Sequence, residues 1–181
     1  MSNEMKYRKD ANMVSVAVDS ATVIEIGDMV YLDTDDVKPV STAALWDTNL
    51  LTTQENLKKI FLGIAMSASA SGETDPVLVC TDGVFEMDAA SANYEVGDTV
   101  APDKDSGNNL LDQTVEAVAG SGAIGRVYAK AASATRVLVH FKSMLLQTLV
   151  VPEAFGADAK VGYTTGNVDI EAEIIGALNT T

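Results

Sequence analysis

Apolar and polar residues alternate at period two over Met13-Val14-Ser15-Val16-Ala17-Val18, and less cleanly over Val23-Ile24-Glu25-Ile26. That is the spacing of strands with one buried face. Short unbroken apolar runs at 29–32, 60–66 and 77–80 predict strands buried on both faces. Later strands are expected over 110–118, 124–129 and 136–142; in the last, Val137, Val139 and Phe141 share one face, and Leu138, His140 and Lys142 the other. Residues 37–40, with Pro39, predict an edge strand. Asp82-Gly83 between two strand-like runs predicts a hairpin turn. Helical signal is confined to one place. Thr52-Thr53-Gln54-Glu55 has the form of a capping box, with Thr52 as N-cap and Glu55 at N3, opening a helix of about two turns before the strand at 60–66.

The pattern is written twice. Ile26-Gly27-Asp28-Met29-Val30 returns as Val96-Gly97-Asp98-Thr99-Val100. Phe61-Leu62-Gly63-Ile64-Ala65 returns as Ala123-Ile124-Gly125-Arg126-Val127, and Val77-Leu78-Val79 as Val137-Leu138-Val139. Order is kept while the spacers shorten, as when loops vary around fixed strands. Glycine reaches positive φ without steric cost, and aspartate can bond nearby amides. Gly27-Asp28 and Gly97-Asp98 are therefore read as matched turns rather than as a catalytic pair. The expected fold is all-β: a small pseudo-duplicated β-barrel or sandwich with one short helix. It divides into an N-terminal arm (1–22), a barrel domain (23–146) and a C-terminal extension (147–181).

Charge narrows the function. With 26 acidic against 12 basic side chains the net charge is −14, a surface that repels phosphate, so direct nucleic-acid binding is not expected. No apolar run approaches the roughly 18 residues of a membrane helix, and the first residues lack a secretory pattern. The single Cys80 has no internal partner and is read as a buried thiol. Lys6, Arg8 and Lys9 concentrate three of the 12 basic residues at one end. With Met5, Tyr7 and Met13 as apolar anchors, they form a candidate contact arm for an acidic partner.

Three motifs lead nowhere. Gly120-Ser121-Gly122-Ala123-Ile124-Gly125 spells a dinucleotide fingerprint, but Arg126-Val127-Tyr128 continues as strand rather than helix, and Leu145 stands where an acid is needed. The acidic stretch Asp33-Thr34-Asp35-Asp36 lacks the glycine and distant glutamate of a calcium loop. His140, the one histidine, has no companions at metal-ligand spacing. No nucleophile triad is present. The chain is expected to be no enzyme and to carry no cofactor.

The phrases Ile26-Gly27-Asp28-x-Val30, Phe61-x-Gly63-Ile64-Ala65, Asp82-Gly83-Val84, Val96-Gly97-Asp98-x-Val100, Ile124-Gly125-x-Val127 and Arg136-Val137-x-Val139 together resemble a family of small β-barrel proteins of tailed bacteriophages. These are the capsid decoration or cement proteins. The likeness covers residues 10–145 or so and leaves 147–181 outside it. It implies a homotrimeric structural virion protein on the outer surface of the head, made in the host cytoplasm, with the major capsid protein as partner. The arm Met5, Lys6, Tyr7, Arg8 and Lys9 would touch the capsid. A virion or cell-surface β module that stacks a glycan on Trp46, the lone tryptophan, is the alternative.

Overall fold

The computed structural model describes residues 12–118 and 120–145. Within them the protein is all-β with one helix. The strands are β1 (Asn12–Val16), β2 (Met29–Asp33), β3 (Asp36–Pro39), β4 (Phe61–Ala65), β5 (Val77–Tyr94), β6 (Thr99–Lys104), β7 (Leu110–Ala117), β8 (Gly125–Val127) and β9 (Ala131–Lys142). Helix α1 (Leu50–Ile60) follows a 3-10 turn at Ala43–Leu45. Hydrogen-bonded neighbours run β3-β2-β4-β5-β7-β6-β8-β9, and β9 returns to β5. The five strands β5, β7, β6, β8 and β9 thus close into a barrel, which removes their free edges.

The first half repeats this ring. β1 pairs with β5, β5 with β4, β4 with β2 and β2 with β3. A parallel bridge from Ala17 to Asp36 closes the circuit, with the Val37 amide donating to the Ala17 carbonyl at 2.8 Å. In the second half the parallel pairs Asp88–Thr114 and Ala89–Val115 do the same. Register agrees strand by strand: Val30 faces Gly63 as Val100 faces Gly125, Ala65 faces Val79 as Val127 faces Val139, and Ile24 faces Ser69 as Tyr94 faces Ala131.

The interiors correspond as well. Val18, Ile24, Val30, Val37, Leu62, Ala65, Val77 and Val79 form the core of the first ring. Ala89, Tyr94, Val100, Val115, Ile124, Val127, Val137 and Val139 stand at the matching places in the second. Each fully buried aliphatic or aromatic side chain contributes about 1.5–3 kcal/mol, so both rings have hydrophobic reason to close. Gly63 and Gly125 are required by close approach. A Cβ on Gly63 would lie 2.0 Å from the Cys80 carbonyl oxygen, and one on Gly125 2.6 Å from Val139 Cγ1.

Strand β5 belongs to both rings and corrects the sequence reading. Asp82-Gly83 makes no turn; the chain runs through it as one strand of 18 residues. Residues 77–82 pair with β1 and β4, and 82–94 with β9, so the last strand of the first ring becomes the first strand of the second. Gly83 is there for space, since a Cβ would meet Cys80 Sγ at 2.9 Å and the Phe85 ring at 3.0 Å. A hairpin rule reads only local sequence, and here pairing on both edges overrides it.

Three further expectations shift. Residues 23–26 form no strand; Ile24 makes a single bridge before the turn. The cap of α1 is Asn49, whose side chain accepts the Thr52 amide at 3.0 Å, and the helix has 11 residues rather than about two turns. Thr52 and Glu55 therefore lie inside α1. β1 falls within the stretch 1–22 set apart as an arm, so that part of it is built into the sheet. The candidate arm residues Met5, Lys6, Tyr7, Arg8 and Lys9, and the extension 147–181, lie outside the described residues.

Candidate interaction surface

The Gly-Asp turns are the best-defined sites that the sequence singles out. Gly27 and Gly97 have φ of 101° and 93°, the left-handed region that the third residue of a type II turn needs. Asp28 and Asp98 each return an amide to the Glu25 or Glu95 carbonyl, at 3.2 and 3.1 Å, while one carboxylate oxygen accepts the Glu25 or Glu95 amide at 2.8 Å in both copies. The glycine amide then bonds across to Ala65 or Val127, at 2.8 and 3.0 Å. These bonds fix the entry to β2 and β6. They also leave Ile26 and Val96 at the turn tips, 47% and 68% exposed.

The two turns differ in what lies beyond them. Asp28 is buried and also accepts Gln113 Nε2 from β7 at 2.9 Å, so the first turn is stitched to the second ring. Burial raises its carboxyl pKa, partly offset by Gln113 and the Glu25 amide. Nearby Asp112 accepts the Ser41 amide at 2.7 Å. Burial, with the Asp28 and Glu25 charges as lesser causes, pushes the Asp112 carboxyl up to about 6 against the help of Ser41. This seam joins the rings through carboxylates. Among the described residues no group of three or more potential ligands is placed to hold a metal ion.

A cleft of about 380 Å³ opens on the second ring. Phe61, Ile124 and Met144 supply its apolar lining, Lys58, Arg126 and Lys142 its cations, and His140 an imidazole beside them. Three of the 12 basic residues and the lone histidine therefore meet in one place on a chain of net charge −14. Lys58 Nζ donates to the Ser121 carbonyl at 2.8 Å and Arg126 Nη1 to the Gly97 carbonyl at 3.1 Å, both neutral acceptors. Asp82 serves the other two side chains, with Oδ1 2.7 Å from His140 Nε2 and Oδ2 3.9 Å from Lys142 Nζ.

Sequence reasoning placed His140 and Lys142 on one outward face but did not join them to Arg126 and Lys58. The available signal was the cross-strand partnership implied by the repeat, which sets Arg126 beside His140. The Gly120–Gly125 run forms one wall of this cleft and leads into β8, the strand continuation that argues against a dinucleotide site. Cys80 is buried, and burial raises its thiol pKa. Trp46 is half-buried, with Lys104 Nζ 5.7 Å from its ring centroid, so a cation already lies over the ring proposed for stacking. Among the described residues no helix is long and apolar enough to cross a membrane.

No protein-family model matches the chain, and no curated protein matches it. Among solved structures, the chain is similar to the N base of the head fibre gp8.5 of bacteriophage phi29, at 14% identity and a TM-score of 0.43, over 73% of this chain and 96% of that one.

Proposed function

We propose that this chain is a structural protein of a tailed-phage virion: a decoration protein that sits on the outside of the head, as a trimer, and bridges neighbouring major capsid proteins. The observation that carries this reading is the role of the phrases by which the sequence resembles decoration proteins. Gly27-Asp28, Gly63, Gly97-Asp98 and Gly125 are the turn and close-approach positions on which both rings are built. A doubled barrel suits the role of a spacer, and its acidic charge suits contact with protein rather than packaged nucleic acid. Bridging works by multivalency: each contact is modest, but a subunit held at several points dissociates slowly.

The test is to mix the purified protein with undecorated phage heads and image the product by electron cryomicroscopy. Stoichiometric density on the head exterior, with a raised temperature of head disruption, is expected. Heads that stay bare at saturating protein would end this reading. Removing residues 2–11, short of β1, should abolish occupancy by taking away Lys6, Arg8 and Lys9; undiminished occupancy would free the arm of that role.

A further inference from the structure

The duplication makes the two rings controls for each other. On the first, the cross-strand row Met29–Ile64–Cys80 runs over the outer face of β2, β4 and β5. All three are at most 1% exposed, and they share one apolar cluster with Leu57 of α1 and Phe61. On the second, the same row is Thr99–Arg126–His140 across β6, β8 and β9. Arg126 and His140 are exposed, Lys142 extends the row, and the cleft lies over them. Among the described residues this face is covered once, by apolar side chains, and left open once. Where it is open, the apolar row has been exchanged for Thr99, Arg126 and His140.

The geometry points to the cleft on β6, β8 and β9 as a docking site for an acidic peptide segment of a partner protein. Several observations favour that occupant. Among the described residues the cleft is lined by Lys58, Arg126 and Lys142 and by no carboxylate; the carboxylates beside it are Asp82, against His140 and Lys142, and Glu55, bonded to Ser121, so cations outnumber carboxylates here on a strongly acidic molecule. Opposite charge steers such a segment to this place and away from the rest of the surface. Phe61, Ile124 and Met144 give an apolar floor for the side-chain stems between carboxylates. A nucleic acid would carry its charge along a strand far longer than this cleft, against a molecule that repels it. On the reading of the protein as a head-decoration subunit, the segment belongs to the capsid protein beneath it; that clause alone rests on the proposed function.

The experiment uses the full chain and hexaglutamate as probe, read by amide NMR shifts. Saturable shifts centred on Thr99, Gly125, Arg126, His140 and Lys142 are expected, weakening as salt screens the charges. The double variant Arg126→Gln/Lys142→Gln should bind at least tenfold more weakly, and the charge-conserving Arg126→Lys/Lys142→Arg should restore binding. That second pair keeps the result interpretable if the first disturbs the fold. Absence of shifts, or equal binding by the neutral variant, overturns the site. Tighter binding of tripolyphosphate at the same amides overturns the peptide assignment. On undecorated heads the neutral variant should lose at least tenfold in apparent affinity; unchanged occupancy overturns the capsid as the source. If the wild type binds hexaglutamate in the cleft and ignores heads, the cleft stands and the decoration role falls.

Discussion

The two rings are the same device under different demands. The first has a small core of valines, leucine and isoleucine, and its circuit closes through one bridge at Ala17 and Asp36. The second puts Tyr94 where the first has Ile24, Met87 where it has Val16 and Phe85 where it has Val14, and it closes through a longer parallel pairing. Among the described residues the first is covered on its outer face and the second is open. A repeated fold can thus devote one copy to packing and leave its twin free to bind. The shared strand β5 makes the copies one body, so neither has a terminus at the junction.

Substitutions at paired positions can break or sharpen this comparison. The largest effect is expected at the close-approach glycines. Gly63→Ala forces a Cβ onto the backbone oxygen of Cys80 at a φ of 155°, which backbone cannot yield to, and should cost more than about 3 kcal/mol. Gly125→Ala meets the side chains of Val139 and Phe141, which can shift, and should cost about 1–3 kcal/mol. Urea unfolding of the two variants gives the order; a reversal would mean the rings do not share this constraint.

Next come the turn aspartates. Asp28→Ala strands the Glu25 amide and Gln113 at a buried position and should cost about 2–3 kcal/mol, whereas Asp98→Ala loses one partly exposed bond and should cost about 1 kcal/mol. Equal losses by the same measurement would remove the seam as the difference between the copies.

The seam also sets a pH dependence. Asp112 titrates near pH 6 when folded, above the ordinary carboxylate value of 3.8. Between these values the folded chain binds the extra proton, so this group's contribution to stability falls as pH rises from about 4 to about 6. Asp112→Asn keeps an oxygen for the Ser41 amide and should flatten that fall, leaving the variant more stable than wild type at pH 7. Unfolding curves at about pH 4 and about pH 7, the two ends of the fall, check the sign. The smallest effect is expected at the turn tips, where Ile26→Ser and Val96→Ser should each change stability by less than about 0.5 kcal/mol, because both side chains are exposed.

Much of this was legible beforehand, for a physical reason. Period-two alternation and the doubled Gly-Asp phrases encode burial and turn geometry locally, so the strands, the two halves and the paired turns can be read from residues alone. What failed depended on partners distant in sequence. Asp82-Gly83 has turn chemistry, but β1, β4 and β9 hold it extended. Thr52 and Glu55 spell a capping box, yet Asn49 lies one turn earlier and its side chain takes the Thr52 amide, so the helix has already begun by Thr52. The cleft was missed because Lys58, Arg126 and Lys142 are scattered along the chain and meet only when α1 and the second ring close together.

The claim that the second ring is the open, binding copy is tested most directly by hydrogen exchange on the protein bound to undecorated heads, compared with the free protein. Amides and loop positions around the Thr99–Arg126–His140 row should gain protection on binding, while those around the matching Met29–Ile64–Cys80 row should not change. Protection confined to the first ring, or bound protein with no change around Arg126 and His140, would contradict the account.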